Sequence, residues 1–486
     1  MYSCMKDKGS YSYTELNELI SVENLDGTIE ATYGRQFTFA PKIVFSQDAD
    51  FEESKYTYEW VYTGPNGVGG SKLFVLSTTK DLDMVLSSVV AGSYPAYLGI
   101  RDKTSGVEYK KSFTLKVVNE FNEGWIMVNE AKGEARVDML SLNKDGKFDV
   151  VIDLLTKVGS ELKLEGKPHM AYNYSTGLLI GPDQLSFGLY LGTNKGTTKV
   201  EPNTFKWTKT MGLTYEMFGV VPAGFYADVI RMKGGASAYM IGMGDVYYYE
   251  RTQNIFYSAP LNYVNAEQKS FKVAPFIVSN IFYGVFYDRT NQRFVKHNGT
   301  EASCAPIPDP EISQRLFSYK TGKELVYMQG LTYNGGEVFA ILKDPISSKK
   351  FLARFNPANA AQSYYNEILG EDIVNAEFYA VNPEFGYIFY TVGSKLYEYD
   401  MVYKTSKLMA DYGSKLISHL SFYEFKNRAK YKGDNQLMVG LYDPSVNTGT
   451  EGELAIYSVP GLNANIVLDK HYKGFGRIKG ITYRER

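Results

Sequence analysis

From about Asn119 onward the chain repeats itself. Hairpin-like stretches recur: "GWIMVNEAKGEARVDMLSL", "TGLLIGPDQLSFGLYLG", "AYMIGMGDVYYYERTQNIFY", "YGVFYDRTNQRFVKHN", "GEVFAILKDPISSKKFLARFN", "GYIFYTVGSKLYEYDMVYKTSKLM" and "QLMVGLYDPSVNTGTEGELAIYSV". Their starts lie roughly 45–60 residues apart, a period that belongs to propeller blades rather than to helical repeats. Two units match closely. Tyr239-Met240-Ile241 with Val246–Glu250 parallels Tyr387-Ile388-Phe389 with Leu396–Asp400, each an apolar strand, a Gly-containing turn and an aromatic return strand.

A shorter unit precedes most hairpins: "PHMAYN", "AGFYADVI", "QGLTYN", "NAEFYA" and "SHLSFY". A small residue beside an aromatic suits an innermost strand packed near a crowded axis. The closing "RIKGITYRER" carries the same unit with no hairpin after it, and the first hairpin lacks a unit of its own. Lys479–Tyr483 is therefore expected to supply the inner strand of the first blade, closing the ring and removing open sheet edges. The reading is a β-propeller over 120–486 of about seven blades; the long interval from Gly177 to Tyr239 leaves room for an eighth.

Upstream the texture changes. Residues 31–119 hold short alternating strands: Phe37 and Phe39 before a break at Pro41, then Tyr56, Tyr58, Trp60 and Tyr62 on one face of "KYTYEWVYT". Two further strands flank a turn at Lys103–Gly106. Regular short strands with a Trp on a middle one predict an immunoglobulin-like sandwich with Trp60 in its core. Residues 1–30 read as a polar leader. The fold class is all-β throughout, consistent with 41 Tyr, 28 Phe and 45 Gly.

A net charge of −2 gives no basic footprint for nucleic acid. No apolar run reaches the length of a membrane-spanning helix. The two cysteines, Cys4 and Cys304, are too far apart in a long chain to suggest a disulfide framework. A lone Cys near the amino end, followed by a polar run, suggests attachment. With only Met1–Ser3 ahead of it, an apolar targeting segment would lie upstream.

Catalytic motifs do not emerge. The four histidines lack metal-ligand spacing, and there is no H-E-x-x-H, C-x-x-C or G-x-S-x-G. "IGMGD" has Tyr247 in place of the third glycine, and Gly322-Lys323 is followed by Glu324 rather than Ser or Thr. The acidic "QDADFEESK" stretch lacks the tight turn of a calcium loop. No metal and no cofactor are expected. His169 and His419 open inner-strand units and could face a shared channel. The loop-like "TNKGTTKVEPNTFKWTKTMGLTYEMFGVVPAGFY" offers Trp207, Tyr215 and Tyr226 as aromatic contacts for a ligand, since loops on rigid scaffolds carry function.

The start "CMKDKGSYSYTELNE" resembles the mature start of outer-membrane lipoproteins of Bacteroidetes. "YEW" at Tyr58–Trp60 and "GSYPAYLGIRDKTSGVEY" at Gly92–Tyr109 resemble their PKD-like domain, and "EGWIMVNE" with "ARVDMLSL" resembles the start of their propeller region. The resemblance implies a surface lipoprotein, acylated at Cys4 and held at the outer membrane. Its implied partner is a SusC/SusD-like TonB-dependent transporter, for which it captures a glycan or peptide. Two other roles fit the same residues: a glycoside hydrolase or lyase using channel-facing carboxylates, or a structural subunit of the transporter complex.

Overall fold

The computed structural model describes residues 17–48, 50–66, 70–174, 188–234, 237–250, 257–299, 301–427, 430–431 and 435–485. Cys4 lies outside the described residues. The chain divides into two compact units, 1–120 and 121–486.

The first unit is a two-layer β structure. A five-stranded sheet runs in the order Thr28–Thr32, Glu108–Val118, Gly92–Asp102, Tyr56–Pro65 and Ser71–Ser77. Two small pairs, Leu19–Glu23 with Lys42–Phe45 and Gln36–Phe39 with Leu82–Val85, contribute to the same core. Alternation sets the faces: Tyr56, Tyr58, Trp60 and Tyr62 are all buried while Thr57 is exposed. Trp60 is fully buried. Phe39 and Phe113 meet it edge-on at 5.8 and 5.7 Å, and its Nε1 donates to the carbonyls of Thr79 and Lys80.

The polar leader expected over 1–30 is corrected in its described part, 17–30. Leu19–Glu23 and Thr28–Thr32 are strands, and Val22, Leu25 and Ile29 belong to the core. Thr28–Thr32 pairs in parallel with Glu108–Val118, a long-range pairing that no local pattern reveals.

In the second unit, among the described residues, seven antiparallel sheets of three or four strands follow one another; we number them blades 1–7. Their inner strands are Arg477–Arg484, Pro168–Tyr174, Val229–Gly234, Val278–Ser279, Glu324–Leu331, Tyr379–Val381 and Leu416–Phe422. Blade 1 is built from both ends of the unit. Gly124–Ala131 pairs with Arg477–Arg484 from Gly124↔Arg484 to Glu130↔Arg477. The carboxyl-terminal strand thus completes the first sheet. The interval after blade 2 is long because residues 201–228 form an irregular connection containing the 3-10 turns Lys209–Met211 and Leu213–Glu216.

The second strand of each blade reads as a continuous apolar run because both of its faces are buried. In blade 1, Ile126 and Val128 pack toward blade 2 with Ala171, Leu189 and Leu191, whereas Trp125 and Met127 pack toward blade 7 with Met438, Leu454 and Phe475. An equivalent apolar cluster fills every other seam around the ring. Each large aliphatic or aromatic side chain so buried contributes roughly 1.5–3 kcal/mol. At Gly480 a Cβ would lie 2.8 Å from the Ala171 nitrogen, so the inner strands of blades 1 and 2 touch there only because this residue has no side chain.

Candidate functional site

Inner strands in blades 1, 2, 5 and 7 each carry a register shift near their start, after which pairing resumes at Gly480, Met170, Tyr327 and His419. Such bulges re-aim the residues that follow. Two positions on come Thr482, Tyr172, Gln329 and Ser421. Tyr172 is the bulkiest of these, and other side chains gather on it.

The Arg231 guanidinium, from blade 3, lies 5.1 Å from the Tyr172 ring centroid. The Lys426 ammonium, from the connection leaving blade 7, lies 5.1 Å from the same centroid. The Tyr172 hydroxyl accepts the backbone N–H of Met232 at 2.9 Å. Tyr327 from blade 5 shares the field of Arg231, and its hydroxyl donates to Gln329. The Tyr423 hydroxyl donates to the Tyr483 carbonyl at 3.2 Å. Tyr172, Tyr327 and Tyr423 keep part of their surface open toward the channel yet are walled in by protein. Burial accordingly pushes all three phenols above their ordinary range.

Lys426 is the most perturbed cation of the group. Burial drives its pKa down to about 8, opposed by Glu485 and reinforced by Arg231. Its Nζ is buried and has no hydrogen-bond partner in the protein. A small cleft of about 20 Å³, room for a single water, is lined by Gln329, Leu331, Thr332, Pro383, Phe422, Tyr423 and Glu424. Two cations thus meet on the Tyr172 ring, with Tyr327 in the field of Arg231 and Tyr423 near Tyr172. They can hold a ring by stacking and an acidic group by charge.

The residues singled out from sequence are placed as follows. His169 meets the Ala227 carbonyl at 2.7 Å through Nε2, and the Tyr226 ring edge-on at 5.5 Å. His419 shares a hydrogen bond with Ser421 Oγ at 2.8 Å, and burial lowers its pKa to about 4, keeping it neutral. Among the described residues no hydrogen bond or ring contact joins the two histidines. Trp207 is half-buried, packs against the seam of blades 1 and 2, and donates to Thr198 Oγ1 at 2.8 Å. Tyr215 is exposed, in the turn Leu213–Glu216. The five do not converge on one place.

Tyr172, Arg231 and Lys426 were missed. The repeated inner-strand unit did carry a signal, since "PHMAYN" already sets Tyr172 near the axis. Nothing local marked the two cations, which come from different blades.

Glu398 lies in the seam of blades 6 and 7. Its pairing partner Phe389 and its neighbour two residues back, Leu396, both belong to the cluster that fills that seam. Burial raises its pKa to about 7, and its Oε2 has no partner. Asp400 holds a turn, accepting the N–H groups of Val402 and Tyr403. Among the described residues no group of three or more His, Cys, Asp or Glu has a geometry that could hold a metal ion. In the acidic stretch, Asp48 pairs with Lys55 at 3.2 Å.

Residues 4–168 match the model of the PKD-like family. The match spans the described part of the first unit and the first three strands of the second. A comparison with curated proteins finds no match. Among solved structures, a quinonprotein alcohol dehydrogenase-like protein from Bacteroides thetaiotaomicron is similar at 11% identity, over 97% of this chain and 100% of that one, with a TM-score of 0.46. The Dos1 propeller is similar at 10% identity, over 80% and 83% of the two chains, with a TM-score of 0.40. A protein of unknown function from Bacteroides caccae is similar at 10% identity, over 74% and 98%, with a TM-score of 0.32. All three scores lie below 0.5, and no chemistry is transferred from them.

Proposed function

We propose that this chain is a capture module: a propeller that binds a small ligand at its channel mouth without transforming it. The observation that carries this reading is the meeting of Arg231 from blade 3 and Lys426 from the connection leaving blade 7 on the Tyr172 ring of blade 2, with Tyr327 in the field of Arg231. The group offers stacking faces and fixed cations. The strongly perturbed carboxylate Glu398 sits in a seam rather than among them.

In the same reading the module acts at the cell surface, anchored through an acylated Cys4 and passing its ligand to a SusC/SusD-like transporter. The PKD-like family match from residue 4 supports this placement. A surface anchor would keep captured ligand at high effective concentration beside the transporter.

The test is a thermal-shift and calorimetric screen of neutral and acidic oligosaccharides and short peptides, with product analysis of every hit. Tyr172→Ala is expected to weaken a hit about tenfold while leaving the melting curve of the unliganded protein within a few degrees. An unchanged Kd would move the site away from the channel mouth, and product formation would replace capture with catalysis. Metabolic labelling with a clickable fatty acid, lost in Cys4→Ala, checks the anchor.

A further inference from the structure

The seam between blades 4 and 5 ends in a cavity of about 220 Å³. Its origin is local. Pro275 has no N–H to give to a ladder, and the Phe276 N–H turns back across it to the Ala274 carbonyl at 2.8 Å. The inner strand of blade 4 starts only beyond this turn and runs for two residues, Val278–Ser279. Across the seam, the inner strand of blade 5 starts at Glu324 and shifts register between Leu325 and Tyr327, and such a bulge bends a strand. The space between is walled by Pro275 and Leu325 on its apolar side and by Tyr287, Arg289, Gln292 and Glu324 on its polar side. The Tyr287 hydroxyl is engaged, donating to the Lys323 carbonyl. The others are not. Among the described residues neither the Arg289 guanidinium nor the Gln292 carboxamide has a hydrogen bond or ion pair, and the Glu324 carboxylate has only Lys343, at 3.7 Å.

We propose that this cavity is a second binding site, independent of the channel mouth, and that it takes one neutral sugar ring whose hydroxyls bond to Gln292 and Glu324. A carboxamide both donates and accepts, and a carboxylate accepts. A hydroxyl does both, so neighbouring hydroxyls on a ring satisfy the pair. Arg289 and Glu324 place opposite charges in one wall, which leaves little gain for a ligand with a net charge. Pro275 and Leu325 offer apolar surface to the C–H face of the ring. The cavity is somewhat below the usual range for small-molecule sites, roughly 300–1,000 Å³, so it suits a single ring rather than a chain. Glu324 opens an inner strand, whereas Lys426 follows the end of one, so the two sites lie toward opposite ends of the inner strands.

The experiment is saturation-transfer NMR and isothermal titration of the full chain with glucose, galactose, mannose and N-acetylglucosamine, and with galacturonate, inorganic phosphate and free alanine. At least one neutral sugar is expected to bind with a Kd in the millimolar range. Glu324→Ala and, separately, Gln292→Asn should each weaken it about tenfold, while Tyr172→Ala leaves it within about twofold. Glu324 is exposed, so its variant keeps the fold. Asn tolerates the positive φ of 54° at position 292 and only draws the carboxamide back. Tighter binding of galacturonate, phosphate or alanine overturns the neutral sugar. Binding that survives both cavity variants, or silence from every neutral sugar, overturns the site and leaves the channel-mouth reading as it stands.

Discussion

The two units bury their side chains in opposite ways. The first gathers its apolar residues into one cluster around Trp60. The second spreads its own over separate clusters, one in each seam between neighbouring blades. In the one-core unit a lost side chain is felt by all of its neighbours. In the ring a lost side chain weakens one seam, and the remaining seams hold as long as the circle stays closed. The lesson is that sensitivity in the second unit follows topology, whereas in the first it follows volume.

The contrast breaks most completely at the closure. Truncation after Gly476 removes the inner strand of blade 1 and strips Ile478 and Tyr483 from the seam with blade 7. Loss of a monomeric, cooperatively melting second unit is expected, read by calorimetry and light scattering. An unchanged midpoint and size would refute closure. Next, Trp60→Ala in the first unit should cost about 3–5 kcal/mol, seen as faster amide exchange across Tyr56–Pro65. Protection equal to that of the parent would mean the single core does not depend on its largest member.

Gly480→Val probes the ring locally. The added side chain meets the backbone of Met170 and Ala171, and a cost of roughly 2–3 kcal/mol is expected from denaturant unfolding.

The smallest effect lies in the seam of blades 6 and 7. Glu398 has a native pKa of about 7, above its ordinary value, so its neutral form favours folding. That contribution is complete below the unfolded pKa and is lost as pH rises through the native one. Glu398→Gln should therefore match the parent near pH 4 and exceed it by about 2 kcal/mol at pH 8. A stability difference that does not change with pH would place the titration elsewhere.

Much of this architecture was legible in residues. Alternation placed Trp60 in a core, "GWIMVNEAKGEARVDMLSL" marked the first hairpin of the repeat, and "RIKGITYRER" announced a strand in search of a sheet. The inner strand Val278–Ser279 of blade 4 was not legible, because two residues carry no period. Thr28–Thr32 was missed because its partner strand lies far along the chain. The site was hardest to see. Tyr172 sat in a recognised unit, but Arg231 and Lys426 reach it only through the register of other blades, and Lys426 reads in sequence as a solvated loop residue. Trp207, conspicuous in sequence, is occupied by packing and by Thr198.

The seam between Gly124–Ala131 and Arg477–Arg484 also bears on biosynthesis. During synthesis the strand Gly124–Ala131 is made early and waits with one edge unpaired until the final strand emerges. In that interval a second nascent copy offers the same complementary strand. Dilution and prompt release after translation should favour the closed monomer, and crowding at this step should favour entangled pairs that have exchanged their last strand.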